Sequence, residues 1–447
     1  MMKSAVLNDS NNNEWSGQPR THLSKIVELL KIQADVNSID FEKIESVSVE
    51  IRSQFPRYSN EFGPSLADSY KITFHFDGKD ESYTVVLKEA ADWTHRLRDS
   101  IDPASVNTVL SDKTTNHKVI LELNSKSVEI LEKEIRLYRA FDDAFAVSRK
   151  SHGFFNSNCP NAQPLKFLPR IIADSTSKFD IETSANLPTD SNSFYLCDDV
   201  SKFSIAGDIF NGLSKPQIDA AISAIAEFHA FSLWMRKSDD LFSCISPRLP
   251  DTQKNAMMKR RILSKLLCLP SFEEHEASLI EFFDTTNYTE IDSHGNFGIL
   301  PVLSHGNYCA SDIFFARDSN EIHTITEWQM AYPSTGLNDV ARLILTSVNA
   351  SLRLKHLDEW IALYFSKLCR FLRARKVKHH YTLDLVRRMF RFEYDAQLLY
   401  SFGLLQNLME QTQDEGIATS IFGRMVAGFE FIRMDFTKPK EKEHYIE

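Results

Sequence analysis

The chain has 447 residues, 43% apolar and 25% charged, with a formal net charge of -10. That length exceeds what one compact domain usually holds, so two globular units are expected. The acidic balance, and the lack of any stretch where Lys and Arg interleave with aromatics, argue against nucleic acid as a partner.

Six cysteines, at 159, 197, 244, 268, 309 and 369, are spaced too widely for a zinc knuckle or a redox pair. The amino terminus has no apolar segment that reads as a signal peptide, and no apolar run approaches bilayer length, which points to the reducing cytoplasm. The densest basic region, residues 367–391, reads as helical with its charges on a solvated face.

In chain order, residues 1–20 are polar and read as a flexible tail. Residues 21–32 carry Leu23, Ile26, Val27, Leu29 and Leu30 at helical spacing. Val47, Val49 and Ile51 alternate with polar residues, as do Tyr70, Ile72, Phe74 and Phe76, so strands are expected there. A polar break at Asp77 and Gly78 precedes a further run over 83–87, which makes a hairpin. Residues 100–117 read as a loop and 125–141 as a helix with Val128, Leu131, Ile135 and Tyr138 on one side. Further strands are expected over 167–173, 178–182 and 194–200. Beyond Val200 the pattern turns helical, opening on Ser214, Pro216 and Gln217 as capping serine, early-turn proline and capping-box glutamine. Only residues 302–330 interrupt the helices, with β-like runs over 313–315 and 323–328. Strands first and helices second make an α+β arrangement, divided as 21–200 and 201–447.

The informative segment is Leu303-Ser304-His305-Gly306-Asn307-Tyr308-Cys309-Ala310-Ser311-Asp312-Ile313-Phe314-Phe315, followed by Thr326-Glu327-Trp328-Gln329 and then Asp339-Val340-Ala341-Arg342-Leu343. It resembles the catalytic and metal-binding loops of the ecdysteroid kinase-like and choline kinase-like phosphotransferases. There the order is His-Gly-Asp, four residues, Asn, an apolar run, Ile-Asp-Trp-Gln and Asp-Leu-Ala-Arg-Leu. The resemblance implies a two-lobed, protein-kinase-like fold with a strand-rich N-lobe, and a helical C-lobe carrying residues 303–343. It further implies that Lys88, closing Val85-Val86-Leu87-Lys88, holds nucleotide phosphates with Glu134 as its partner. By the same resemblance Asp198 and Asp199 stand in the hinge strand, and Gly63 stands in the loop over the phosphates. Taken alone, Lys88 is an ordinary strand-end lysine, and Glu134 an ordinary charge on a helix face. His229 reads as a packing residue; Asp339 taken alone reads as a helix cap, while the resemblance implies that it holds the catalytic loop, and the two roles are compatible.

Phosphoryl transfer needs positioning and charge neutralisation: lysine and magnesium against the phosphates, and a carboxylate to orient the attacking hydroxyl. Apart from the lysine, this chain departs from the family at these points. Asn307 stands at the base position and has no useful proton affinity at neutral pH. Asp312 replaces the family's Asn and Glu327 its Asp at the two metal positions, while the loop around Gly63 has one glycine and a proline. The resemblance implies ATP and magnesium as cofactors and a small hydroxyl-bearing acceptor; the departures predict weak or absent binding of the cofactors. The leading expectation is a pseudokinase acting as a binding or regulatory module. An active, divergent small-molecule kinase using Asp312 and Glu327 for metal, and a scaffold that binds no nucleotide, are the alternatives. Sterol-like, choline-like and aminoglycoside-like acceptors are all compatible with the sequence.

Overall fold

The computed structural model describes residues 23–32, 44–51, 67–77, 82–91, 113–151, 165, 167–169, 171–175, 193–235, 252–286 and 294–432. Among these, the chain divides into two compact units. The first takes in the residues up to Ile205 together with His323–Met330; the second takes in those from Ala206 to Ile322 and from Ala331 on.

The first unit is built from α1 (Leu23–Ile32), β1 (Ile44–Ile51), β2 (Ala67–Phe76), β3 (Ser82–Ala90), α2 (Lys113–Ser151), β4 (Ile171–Asp174) and β5 (Phe194–Asp198). The five strands form one antiparallel sheet in the order β1-β2-β3-β5-β4. Alternation in β2 buries Tyr70, Ile72, Phe74 and Phe76, which join Ile26, Val27, Leu29 and Leu30 of α1 and Val85 and Leu87 of β3 in one core. β3 is the middle strand, and its last six residues are all buried. The two-residue period sends Val85 and Leu87 to the α1 side and turns Val86 and Lys88 to the opposite face. The buried residues Leu131, Glu134, Ile135, Tyr138 and Phe141 of α2 follow helical spacing.

Several expected boundaries move, each for a local reason. α2 starts at Lys113, inside the stretch read as a loop, because a polar turn can continue a helix without an apolar period. The strand expected over 167–173 shrinks to β4, since Pro169 has no N–H to donate to a ladder. β5 stops at Asp198, where Asp199 accepts from the Ser201 backbone N–H at 3.1 Å and hydroxyl at 2.7 Å and caps a short turn over Val200–Lys202. The strand expected over 178–182 lies outside the described residues.

β6 (Ser204–Ala206) carries the chain into the second unit and β9 (Ile322–Ile325) carries it back to the first. The second unit contains α3 (Lys215–Met235), α4 (Thr252–Leu267), α5 (Glu276–Thr285), β7 (Val302–Ser304), β8 (Ile313–Ala316), β10 (Tyr332–Ser334), α6 (Leu337–Ser347), α7 (Ala350–Ala374), α8 (Leu383–Gln411) and α9 (Glu415–Ile432). Strands thus gather in the N-terminal part and helices in the C-terminal part, the expected α+β division.

The glutamine half of the expected capping box at α3 is present: the Gln217 Oε1 accepts from the Ser214 backbone N–H at 3.0 Å and from its hydroxyl at 2.9 Å. Gln217→Ala is therefore expected to lower stability by about 1 kcal/mol in urea unfolding; a change within error would show that solvent satisfies Ser214 equally well. The antiparallel pair of β7 and β10, matching Ser304 with Tyr332, escaped sequence reading because three-residue strands are too short to show a period. Every residue of α6 is buried, polar ones included. In the helical core the Phe272 ring meets Phe402, Phe422 and Phe429 edge-on, with centroids 6.0–6.2 Å apart. Within the basic region Arg370, Arg373, Lys376, Lys378, Arg387 and Arg388 are exposed as expected, whereas Arg375 is buried and pairs with Glu227 at 3.3 Å. No described helix is long and apolar enough to cross a membrane.

Candidate active site

Lys88 sits on the central strand of the first unit, opposite Ser69 on β2 and Tyr195 on β5. Its ammonium is 2.9 Å from Glu134 Oε2 and 3.1 Å from each carboxylate oxygen of Glu327. Lysine has three N–H donors, so these three oxygens match its full donor count. Glu134 is fully buried, and its other oxygen accepts from the Tyr138 hydroxyl at 3.1 Å and the Trp328 backbone N–H at 3.2 Å. The Glu327 side chain is 36% exposed and accepts in addition from Gln329 Nε2 at 2.5 Å.

One cation therefore serves two carboxylates. Burial works against the charge on Lys88, but Glu134 and then Glu327 outweigh it and hold the amine above the ordinary lysine range. For Glu134 burial comes first and, with the nearby charge of Glu327, holds the carboxyl above its ordinary value in spite of Lys88. Glu327 has φ +66°, a left-handed conformation that few non-glycine residues adopt. That twist ends β9 at Ile325 rather than letting the strand run on to Trp328 as expected, and residues Trp328–Met330 form a short turn instead. The Trp328 ring packs edge-on against Phe141, 5.8 Å between centroids.

In the second unit the segment after β7 is held by Asp339. Its carboxylate accepts from the backbone N–H of His305 at 2.7 Å and of Gly306 at 2.9 Å, and lies 3.1 Å from His229 Nε2. The His229 Nδ1 is in turn 2.9 Å from the Tyr364 hydroxyl, and both His229 and Asp339 are fully buried. Gly306 has φ +85°, which a glycine adopts without strain at the turn. Asp339 lies within the first turn of α6, whose N-cap is Gly336, so its carboxylate is not the ordinary helix cap.

Asn307 donates from Nδ2 to Asp312 Oδ2 at 3.2 Å, and its Oδ1 accepts from Arg342 Nη2 at 3.1 Å. Acceptor toward Arg342 and donor toward Asp312 fix which way the amide faces. Asp312, nearly buried, also accepts from the Ser311 hydroxyl at 3.2 Å and the Cys309 thiol at 3.5 Å. Burial and then the Asp312 charge push the Cys309 thiol well above the usual range, so it stays protonated and unreactive.

The structure thus brings Lys88, Glu134 and Glu327 together in the first unit, and Asn307 and Asp312 together in the second. Asp198 is exposed at the end of β5 and pairs in register with Val85 rather than with Lys88. Gly63 lies outside the described residues. Four participants were given no such role in the sequence: His229, read as packing; Arg342, inside a matched motif; Tyr138; and Gln329. Arg342 and Gln329 carry the signal of their matched motifs, and Tyr138 that of its four-residue offset from Glu134 on α2.

Residues 102–377, more than half of the chain, match the ecdysteroid kinase-like family. The chain belongs to the ecdysteroid kinase-like family. No curated protein matches this ecdysteroid kinase-like chain. Among solved structures, a Plasmodium vivax ethanolamine kinase is similar at 9% identity, covering 92% of this chain and 89% of that one, with a TM-score of 0.42. The GDP complex of aminoglycoside 2'-phosphotransferase-IIIa is similar at 12% identity, covering 91% and 98%, also with a TM-score of 0.42.

Proposed function

We propose that this ecdysteroid kinase-like protein is a pseudokinase: it retains the family's framework as a binding or regulatory module and has lost phosphoryl transfer to a hydroxyl acceptor. The observation that carries this reading is the fixed Asn307 amide, donating to Asp312 and accepting from Arg342 at the position where the family places its base. An amide so held takes no proton from an attacking hydroxyl. Lys88 adds support. With its donors matched by Glu134 and Glu327, the residues as arranged do not fit a nucleotide phosphate at Lys88, and weak or absent binding of ATP and magnesium follows. The module's ligand would be a small hydroxyl-bearing molecule.

One observation favours the alternative, an active divergent kinase. The Asn307–Asp312 hydrogen bond keeps one acid and one amide side by side, the family's pair with its members exchanged. ADP release over a panel of small hydroxyl acceptors separates the two. The native chain is expected to show none, as are Asn307→Asp, Asp312→Asn and Glu327→Asp taken singly. Asn307→Asp alone sets two carboxylates against each other across the 3.2 Å now spanned by a hydrogen bond, so each raises the other's proton affinity. The triple variant restores the family's charge pattern and is expected to recover transfer, because groups acting as a unit are not additive. Robust transfer by the native chain would overturn the pseudokinase reading.

A further inference from the structure

The family's lysine serves phosphates, yet here it is satisfied from within. We infer that Glu327, held in place by Gln329, is a latch that fills the anion site of Lys88 and closes it to nucleotide phosphates. The inference rests on the binding-module reading above and says what shuts one part of that module.

Four observations carry it. Both Glu327 oxygens lie 3.1 Å from the ammonium, so a phosphate oxygen reaching Lys88 must displace a carboxylate already in place. The Glu327 carboxylate lies against the Lys88 ammonium and offsets its charge, so an incoming polyanion finds no unbalanced cation to attract it. Glu134 is the fixed partner, fully buried and tied to Tyr138 and Trp328, whereas Glu327 is part-exposed and also accepts a 2.5 Å hydrogen bond from Gln329. The two glutamates therefore divide the work: one pairs with the lysine permanently and the other covers it. The left-handed backbone at Glu327 aims the side chain at Lys88 at the expense of local strain, which a latch must hold against and a mere surface acid would not need.

The test is calorimetric titration of the full-length chain with ATP, with and without magnesium. It compares the native protein with Glu327→Gly, Glu327→Gln, Gln329→Ala and the double variant Glu327→Gly/Lys88→Met. Glycine suits φ +66° and so removes the carboxylate while relieving the backbone; glutamine keeps the shape and removes only the charge. Both are expected to bind ATP at least about tenfold more tightly than the native chain, with Gln329→Ala in between and the gain absent from the double variant. Melting curves run beside the titrations establish that each variant is folded. The latch is overturned if the native chain binds ATP as tightly as the Glu327 variants, if folded Glu327 variants gain no affinity, or if the gain survives loss of Lys88. Tight binding by the native chain without ADP release would sink the latch and leave the pseudokinase reading standing. ADP release alongside weak binding would do the reverse.

Discussion

Lys88→Met is expected to lower the stability of the native chain by about 3–5 kcal/mol at neutral pH, because it leaves the buried Glu134 carboxyl facing Glu327 with no cation between them. Methionine matches the lysine stem in length, so the loss is electrostatic rather than steric. The pH dependence has a definite sign. Burial already raises Glu134 above its ordinary value of 4.5, and removal of Lys88 raises it further. A group whose folded pKa is raised contributes stability that is fully present below its unfolded pKa and lost as pH rises through the folded one. The deficit of the variant should therefore shrink as pH falls toward 4.5 and reach its full size above the raised pKa of Glu134. For native Lys88, whose pKa is also raised, the contribution is complete below the ordinary 10.5 and is lost only in strong alkali. Urea unfolding of both proteins at pH 5 and pH 7.5 checks this. An equal loss at both values, or a loss within error, would mean that solvent reaches Glu134 and that the pair has little structural weight.

The second large effect is expected at Asp339. Asp339→Asn keeps the size but turns an NH2 group toward donors that now share two carboxylate oxygens: the N–H groups of His305 and Gly306, and His229. At least one buried donor loses its acceptor and the remaining bonds lose their charge, for a cost of about 3 kcal/mol. Hydrogen exchange supplies the specific readout. The His305 and Gly306 amides should exchange faster in the variant, by more than amides elsewhere in the second unit. A uniform acceleration across the unit would assign Asp339 to general packing instead of to this turn.

Much of this was legible in the residues. Alternation in β2 and the Glu134–Tyr138 spacing on α2 carry their own period, and the segment from His305 to Leu343 carries its family resemblance in order and spacing. What stayed hidden depends on partners distant in sequence. Nothing near His229 announces Asp339 or Tyr364, so a histidine on an apolar helix reads as packing. The sequence places Glu327 at a metal position where the family has Asp; its contact with Lys88 goes with a left-handed backbone, which a glutamate does not advertise. The exchange of Asn307 and Asp312 was visible, but Arg342, which orients the amide, came from a helix whose burial of polar residues breaks the usual amphipathic rule.

The placement of His323–Met330 in the first unit has a consequence for how the chain comes to be folded. When Ile205 has been translated, the sheet has all five of its strands, yet Lys88 lacks Glu327, and Glu134 lacks the amide of Trp328. At about 5–20 residues per second the ribosome needs roughly 6–24 s more to reach His323. Throughout that interval the face of the sheet that holds Lys88 has no Trp328 against Phe141. A nascent chain stalled before His323 should be cleaved by protease more readily on this face than one stalled beyond Met330, and a fragment ending at Ile205 should share that weakness however long it is given to fold.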